Sequence, residues 1–432
     1  MKKQLVLLSA LFLTATATFA QFEASGVIRP RTEYRNGFGA PIADDAEPGV
    51  GTSTRVRANF GYKHKRFDFF VSFQDVFVWG ENRQIKPEDD NNSFNVFQAY
   101  TDIKLDTVGK FSLKLGRQVL SYDDQRILGG LDWAQQGRNH DLALLKFKSN
   151  GYKLDLGFAF NQDYSHPTGY TSVGNEYSTS AFFTYKTMQM LHANKKWDKL
   201  GVSILAMNNG FQDASLGLTD VANLQTIGTH IKFKSGAFDL AANGYIQTGE
   251  AIYTNPPGTA GSYQDVSGAF LAGIDFGYKV GKVKLLAGAE IISGNSETEA
   301  GKTSAFFPLY GTNHKFNGFM DYFYVGNHAN TVGLIDVHVG AKANLGKGWG
   351  VLGKVLNFQS EQELASGETQ LGTEVDLVVS KKFDGFVLKA GYSQMFESDG
   401  MYELKNNGVT ADNAAGAQNW AWAMLVFKPK FL

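Results

Sequence analysis

From Gln21 onward the apolar residues recur at every second position, in segments of about ten residues joined by connections that are alternately short and long. A period of two makes each segment a strand with one apolar and one polar face, and it leaves little room for helices. Residues 22–35 place Phe22, Ala24, Ile28 and Tyr34 on one face and Glu23, Arg29, Arg31, Glu33 and Arg35 on the other. Residues 52–63 repeat the pattern, with Val56, Ala58, Phe60 and Tyr62 opposite Arg55, Arg57, Asn59 and Lys63, before His64-Lys65-Arg66 reverses the chain. Further strands are expected at 67–79, 94–105, 111–121, 139–148, 152–162, 177–195, 200–211 and 224–234, then at 237–250, 266–278, 283–294, 330–343, 349–362, 370–382, 385–397 and 418–430. The total of about 18 is even, as a single-chain bacterial barrel requires. Two segments are irregular. Residues 177–195 exceed one membrane strand, and in 67–79 Phe69, Phe73 and Phe77 share a face with Asp75 while Phe70 opposes them, a conflict that a β-bulge would resolve.

The N-terminus supplies the compartment. Met1-Lys2-Lys3, an apolar run from Leu5 to Leu13 and small residues up to Ala20 fit a secretory signal peptide over 1–20, leaving 21–432 as the mature chain. The run is too short for a spanning helix, which needs about 20 residues. A secreted chain with period-two strands can still span a membrane, because a closed barrel satisfies every backbone polar group in lipid. The expected fold is therefore all-β, a transmembrane antiparallel up-and-down barrel with short periplasmic turns and long extracellular loops. Aromatics near strand ends, such as Tyr62, Phe111, Trp197, Tyr278 and Trp349, fit interfacial girdles. A soluble propeller is the rival, but no repeat of about 40 to 50 residues is present. With no cysteine there is no thiolate metal site, disulfide or lipid anchor, and a net charge of −1 gives no reason to expect a nucleic-acid partner. No cofactor is expected. The expected setting is the outer membrane of a Gram-negative bacterium, among lipid and lipopolysaccharide, with an aromatic-containing final strand resembling the signal read by the barrel-assembly machinery.

One stretch is unlike an ordinary loop. Residues 111–141 begin as a strand, break at Gly116-Arg117-Gln118, and continue through Arg126-Ile127-Leu128-Gly129, Asp132-Trp133 and Gly137-Arg138 to Asp141. This segment resembles the signature of the alginate export family, outer-membrane barrels that pass anionic polysaccharide. Residues 306–323, with Pro308-Leu309, His314 and Gly318-x-x-Asp321, resemble a later loop of the same family. The resemblance implies a passive channel for anionic polysaccharide or oligosaccharide and brings Arg117, Arg126, Arg138 and Asp141 into its path.

The polar faces support an anion path on their own terms. Arg29, Arg31, Arg35, Arg55 and Arg57 come from adjacent strands and form one basic wall, and a guanidinium grips carboxylate bidentately. Lys114, His230, Lys232, His338, Lys342, Lys354 and Lys389 are further candidate lumen cations, and Glu290, Asp336, Glu374 and Asp376 candidate acids that keep each site weak enough to leave. The plainer reading is that such charges pair across strands and hydrate the wall. The loops at 122–138 and 296–329 either fold inward as a constriction or remain on the surface. Trp79, Trp133 and Tyr310 are candidates for stacking on sugars, though interface anchoring is the commoner use of such residues. An enzyme is disfavoured: the histidines lie in no nucleophile-elbow context, and Asp123-Asp124 reads as a solvated pair. Every proposed periplasmic turn is short, unlike the long plugging loop of dedicated exporters. A general porin for anionic or sugar solutes, and a plugged surface-binding barrel, therefore stay open as alternatives.

Overall fold

The first and last strands of the chain are hydrogen-bonded to each other. β1 (Phe22–Asn36) and β19 (Gln418–Phe427) run antiparallel with Arg31 opposite Met424 and Arg35 opposite Trp420, and this ladder closes the sheet. The structure is a computed structural model that describes residues 21–82, 93–162, 177, 184–213, 217–253, 262–295 and 301–432. The expected signal peptide and its cleavage point lie outside the described residues.

Between the closing strands run β2 (Gly49–Lys63), β3 (Phe67–Val78), β4 (Asn95–Lys104), β5 (Phe111–Gln118), β6 (His140–Ser149), β7 (Tyr152–Phe160), β8 (Thr187–Lys196), β9 (Leu200–Asp213) and β10 (Leu218–Ser235). They continue as β11 (Phe238–Tyr253), β12 (Ser262–Val280), β13 (Val283–Ile292), β15 (Leu334–Gly346), β16 (Trp349–Gln359), β17 (Gln370–Lys382) and β18 (Phe386–Glu397). A two-residue strand, β14 (Lys302–Thr303), sits in the loop after β13 and pairs parallel to β12. The wall is thus a closed antiparallel barrel of 18 strands, as the period and connection lengths led us to expect. Closure leaves no unpaired edge, which is the condition for crossing lipid.

The expected spans match closely, with informative departures. Of the span expected at 177–195, β8 takes only Thr187–Lys196, and residues 178–183 lie outside the described set. The bulge expected within 67–79 is absent, and the irregularity is on the neighbouring strand: Ser72 pairs with Gln98 and Phe73 with Val96, so the extra residue is Phe97 in β4. β3 keeps strict alternation, and Phe70 simply faces inward against Tyr100, ring centroids 5.4 Å apart.

The outer face carries the exposed large apolar residues, among them Phe158, Ile227, Ile246, Val337 and Val355. That inversion of a soluble protein is what a lipid-facing wall needs. The buried apolar cluster is inside: inward Met188, Leu205, Leu224, Leu356, Phe358 and Trp420 meet Leu120, Ile127, Leu128, Phe307, Tyr310 and Met320 from two loops.

Candidate functional site

The loop after β5 (119–139) and the described residues of the loop after β13 (293–295 and 301–333) fold into the lumen toward the long-loop end. Their contacts reach inward side chains on β1, β2, β9, β11, β13, β17 and β19 at once, which only a position inside the barrel permits. The two loops also bind each other. Leu128 and Tyr310 form a parallel bridge, the Gly129 N–H donates to Tyr310 O at 2.9 Å, and the Thr312 N–H donates to Gln125 O at 2.9 Å. Together they make one plug.

The basic wall is present, but the plug occupies it. Arg29 donates to the carbonyls of Asp132, Trp133 and Ala134 and, at 3.0 Å, to Gln135 Oε1. Arg55 Nη2 binds Asp132 Oδ1 at 2.7 Å, and Arg29 and Arg57 each come within 3.8 Å of the same carboxylate. Arg31 donates to Trp133 O at 2.9 Å and lies 4.4 Å over its ring, while Arg57 lies 3.5 Å over Phe97 and reaches Gln136 O. The wall around it partly desolvates the exposed Asp132 carboxylate, yet the Arg55 and Arg29 charges outweigh that cost and hold this carboxyl below its ordinary range. A chain carboxylate and five residues of backbone thus fill an anion-binding surface. Arg35, at the edge, pairs with Glu33 at 3.1 Å and covers Phe38.

Two further anchors hold the plug elsewhere. Arg126 is buried and makes a bidentate pair with Glu290 at 2.8 and 2.6 Å, and its remaining nitrogen–hydrogen bonds go to Asn313 and Asn317. Arg138 donates to Gly311 O at 3.2 Å. Glu374, inward on β17, accepts from the backbone N–H of Phe319 and of Met320, the latter at 2.9 Å. Gly318 makes this approach possible: its φ is +87°, and a Cβ there would stand 2.4 Å from Glu374 Oε2. Asp376 faces the same interior and accepts from Ser393 Oγ at 2.5 Å.

Arg117 and Asp141 lie elsewhere. They form a bidentate pair at 2.8 Å on strand faces opposite those of the buried Gln118 and His140, so they point away from the lumen. Lys114 faces inward, its ammonium 3.6 Å over Tyr100. Trp133 and Tyr310 are packed inside the plug: Trp133 stacks on His314 at 4.5 Å and meets Trp420 and Trp422 edge-on, while the Tyr310 hydroxyl accepts from Asn209. Trp79 is exposed on the outer face.

Beneath the plug, toward the short turns, is a cavity of about 500 Å³. It is lined by Lys232, Lys315, Lys342, Lys354, the plug rings Phe316 and Phe319, and acids that include Asp239, Asp275 and Asp336. Most of the acids are paired: Asp239 with Lys284 at 2.7 Å, and Asp275 and Asp336 with His338 at 3.0 and 3.1 Å. Lys315 donates to Asp124 O, and burial lowers its pKa below the ordinary lysine value. Lys232, Lys342 and Lys354 make no direct hydrogen bond or ion pair among the described residues. Beside the cavity, Asp123 accepts from both His192 Nε2 and Ser203 Oγ, at 3.1 and 2.6 Å. The hydroxyl therefore bonds the carboxylate and not the imidazole, which makes this an anchor and not a nucleophile–base pair.

A sequence model described as "Alginate export" matches residues 22–388. The chain belongs to the alginate export family. No curated protein matches it. Solved structures share its fold at low identity: Acinetobacter baumannii OccAB1 (TM-score 0.63, 12% identity, 95% of this chain and 97% of that one), Pseudomonas aeruginosa OpdK (0.61, 12%, 95% and 99%) and a BenF-like porin from Pseudomonas fluorescens Pf-5 (0.59, 14%, 95% and 99%). The stretch that resembles the family's signature, residues 111–141, comprises β5 and the plug loop after it. Sequence reasoning missed Asp132 as a site residue, because its partners come from strands more than 70 positions away and no local pattern marks them.

Proposed function

We propose that this alginate export family barrel is a passive channel for anionic solutes, acidic oligosaccharide or polysaccharide among them. The observation that carries the reading is the set of lysines, Lys232, Lys342 and Lys354, that make no direct hydrogen bond or ion pair among the described residues and line a cavity inside the barrel. An ammonium is a point charge that attracts carboxylate without a fixed geometry, and the neighbouring paired acids keep each site shallow, as conduction requires. The arginine wall is a second anion site, held by Asp132 in the closed arrangement. A permeant carboxylate competes with Asp132 for Arg29, Arg55 and Arg57 as the plug segment moves aside. The short turns and the size of the cavity favour small anionic or sugar solutes as a second class of cargo. No catalytic step is assigned.

The same reading places the mature chain, cleaved near Ala20, in the outer membrane of a Gram-negative bacterium, inserted by the barrel-assembly machinery and surrounded by lipid and lipopolysaccharide. Its short turns then face the periplasm. The test is the reversal potential of the refolded mature chain across a salt gradient. We expect anion preference, weakened by the combined Lys232→Gln, Lys342→Gln and Lys354→Gln substitutions. A cation-preferring wild type overturns the proposal.

A further inference from the structure

Two carboxyls in the lumen wall touch with no cation between them. Glu374 and Asp376 project inward from one face of β17 and are buried. Each has one oxygen engaged. Glu374 Oε1 accepts from the N–H groups of Phe319 and Met320 in the plug loop after β13, and Asp376 Oδ1 accepts from Ser393 Oγ on β18. The other oxygens, Glu374 Oε2 and Asp376 Oδ2, are buried without a donor, although the two side chains lie within hydrogen-bonding reach of each other. Ionised carboxylates are acceptors only and repel at such a distance, so a pair in contact needs a proton or a cation. The nearby cations are placed otherwise. Lys354 stands opposite Asp376 on β16 without forming an ion pair, and His314 is held by Asp321 at 2.8 Å. No third carboxylate or imidazole completes a metal-ligand set with the pair among the described residues. Gly318 packs directly on Glu374 Oε2, where a Cβ would stand at only 2.4 Å.

We propose that Glu374 and Asp376 share one proton, and that the carboxyl–carboxylate bond it makes is a latch that keeps the plug seated until the proton leaves. The inference rests on the channel function proposed above and adds a control by alkali. With the proton in place the pair carries one negative charge, which the two plug N–H groups stabilise. Without it a second negative charge is buried beside the first. A buried charge without a partner is far costlier than a hydrated one, and residues 318–320 cover the Glu374 carboxyl. Lifting that cover hydrates both carboxylates and lets the proton pass to solvent. The other charged groups around the pair are Lys354 from β16, His314 and Asp321 from the plug, and Glu397 from β18, which accepts from the Tyr322 hydroxyl at 2.9 Å. The plugged state therefore binds one proton more than the released state. The ratio of released to plugged chains rises with pH, by up to about tenfold per unit for one proton.

The experiment is limited proteolysis of the plug loops in the refolded mature chain, run from neutral to alkaline pH beside single-channel recording. Wild type and variants are compared at the same pH, so that changes in the protease itself cancel. We expect wild-type loops to resist at neutral pH and to be cut faster as pH rises, by up to about tenfold per unit, with opening of the channel in parallel. Asp376→Asn keeps a donor for Glu374 and an acceptor for Ser393 but has no shared proton to lose, so its loops should stay protected and its channel closed in alkali. Glu374→Gln makes the converse exchange and should behave alike, which guards against a folding defect in either variant. Wild-type protection that does not change with pH, or amide variants released by alkali as readily as the wild type, overturns the latch. An anion-preferring channel with such pH-independent loops leaves the channel function standing. Loops released by alkali in a barrel that stays silent support the latch and overturn the channel.

Discussion

Asp132 shows how one side chain changes the meaning of a charged wall. Four inward arginines on two adjacent strands read as a path for anions, yet Arg29, Arg31, Arg55 and Arg57 all end on residues 132–136 of the chain itself. Replacing Asp132 by Asn removes the charge that competes with permeant while keeping its shape. The expected outcome is a higher anion-to-cation permeability ratio and more frequent opening, read from single channels. Acid should act on the same group. The folded carboxyl is held below its ordinary 3.8, so its contribution to closure is fully present above that value and is lost only as pH falls through the depressed one. Wild-type gating should stay flat from about pH 8 to about pH 5 and change only below the ordinary carboxylate range, and the Asn variant should lose that acid response. Arg126 is the contrasting case. Its charge is buried against Glu290 with both carboxylate oxygens engaged, and removing one member of such a pair typically costs about 3–5 kcal/mol. Arg126→Ala should therefore expose both plug loops to protease under conditions in which the wild type resists.

At the scale of elements, the strands were legible and the loops were not. Period two and the turn residues marked all eighteen strands because a strand's two faces are set locally, by lipid on one side and the interior on the other. One local reading misled. β3 needs no bulge: it alternates strictly with Asp75 on the outer face beside Phe73 and Phe77, where Asp75 accepts from Ser93 Oγ at 2.7 Å, and the extra residue belongs to β4. Arg117 is different, since its outward direction was readable. It continues the alternation of Phe111, Leu113 and Leu115 against Lys114 and Gln118, and the family signature outweighed that parity. The inward fold of the loops at 122–138 and 296–329 was one of two readings left open, and the sequence could not choose between them for a physical reason. The plug's hydrogen bonds join residues such as Arg126 and Asn317, Thr312 and Gln125, or Asp132 and Arg55, and partners so far apart in sequence leave no periodic trace.

Across the whole molecule the wall and the plug are separable structures. Closure depends on backbone ladders such as Arg31 opposite Met424 and on an apolar outer face that lipid covers, and neither requires residues 131–137. The plug in turn has one anchor that solvent and permeant can reach, since the Asp132 side chain is 67% exposed, and one that they cannot, Arg126 with Glu290. Positive φ at Leu131 (48°) and Gly137 (68°) brackets the reachable part, so residues 132–136 form a strap between two sharp backbone turns. Replacing that strap by five glycines should leave a barrel that still shows heat-modifiable migration, because no ladder is cut. Conductance should rise and the acid response should vanish, because the Asp132 carboxylate and the Trp133 and Gln135 side chains that clamp the strap to the arginine wall are gone. The arginines, relieved of that carboxylate, should also make the variant more anion-selective than the wild type. If the glycine variant conducts no better than the wild type, the closure lies in the deeper anchors, and the arginine wall is scaffold and not path.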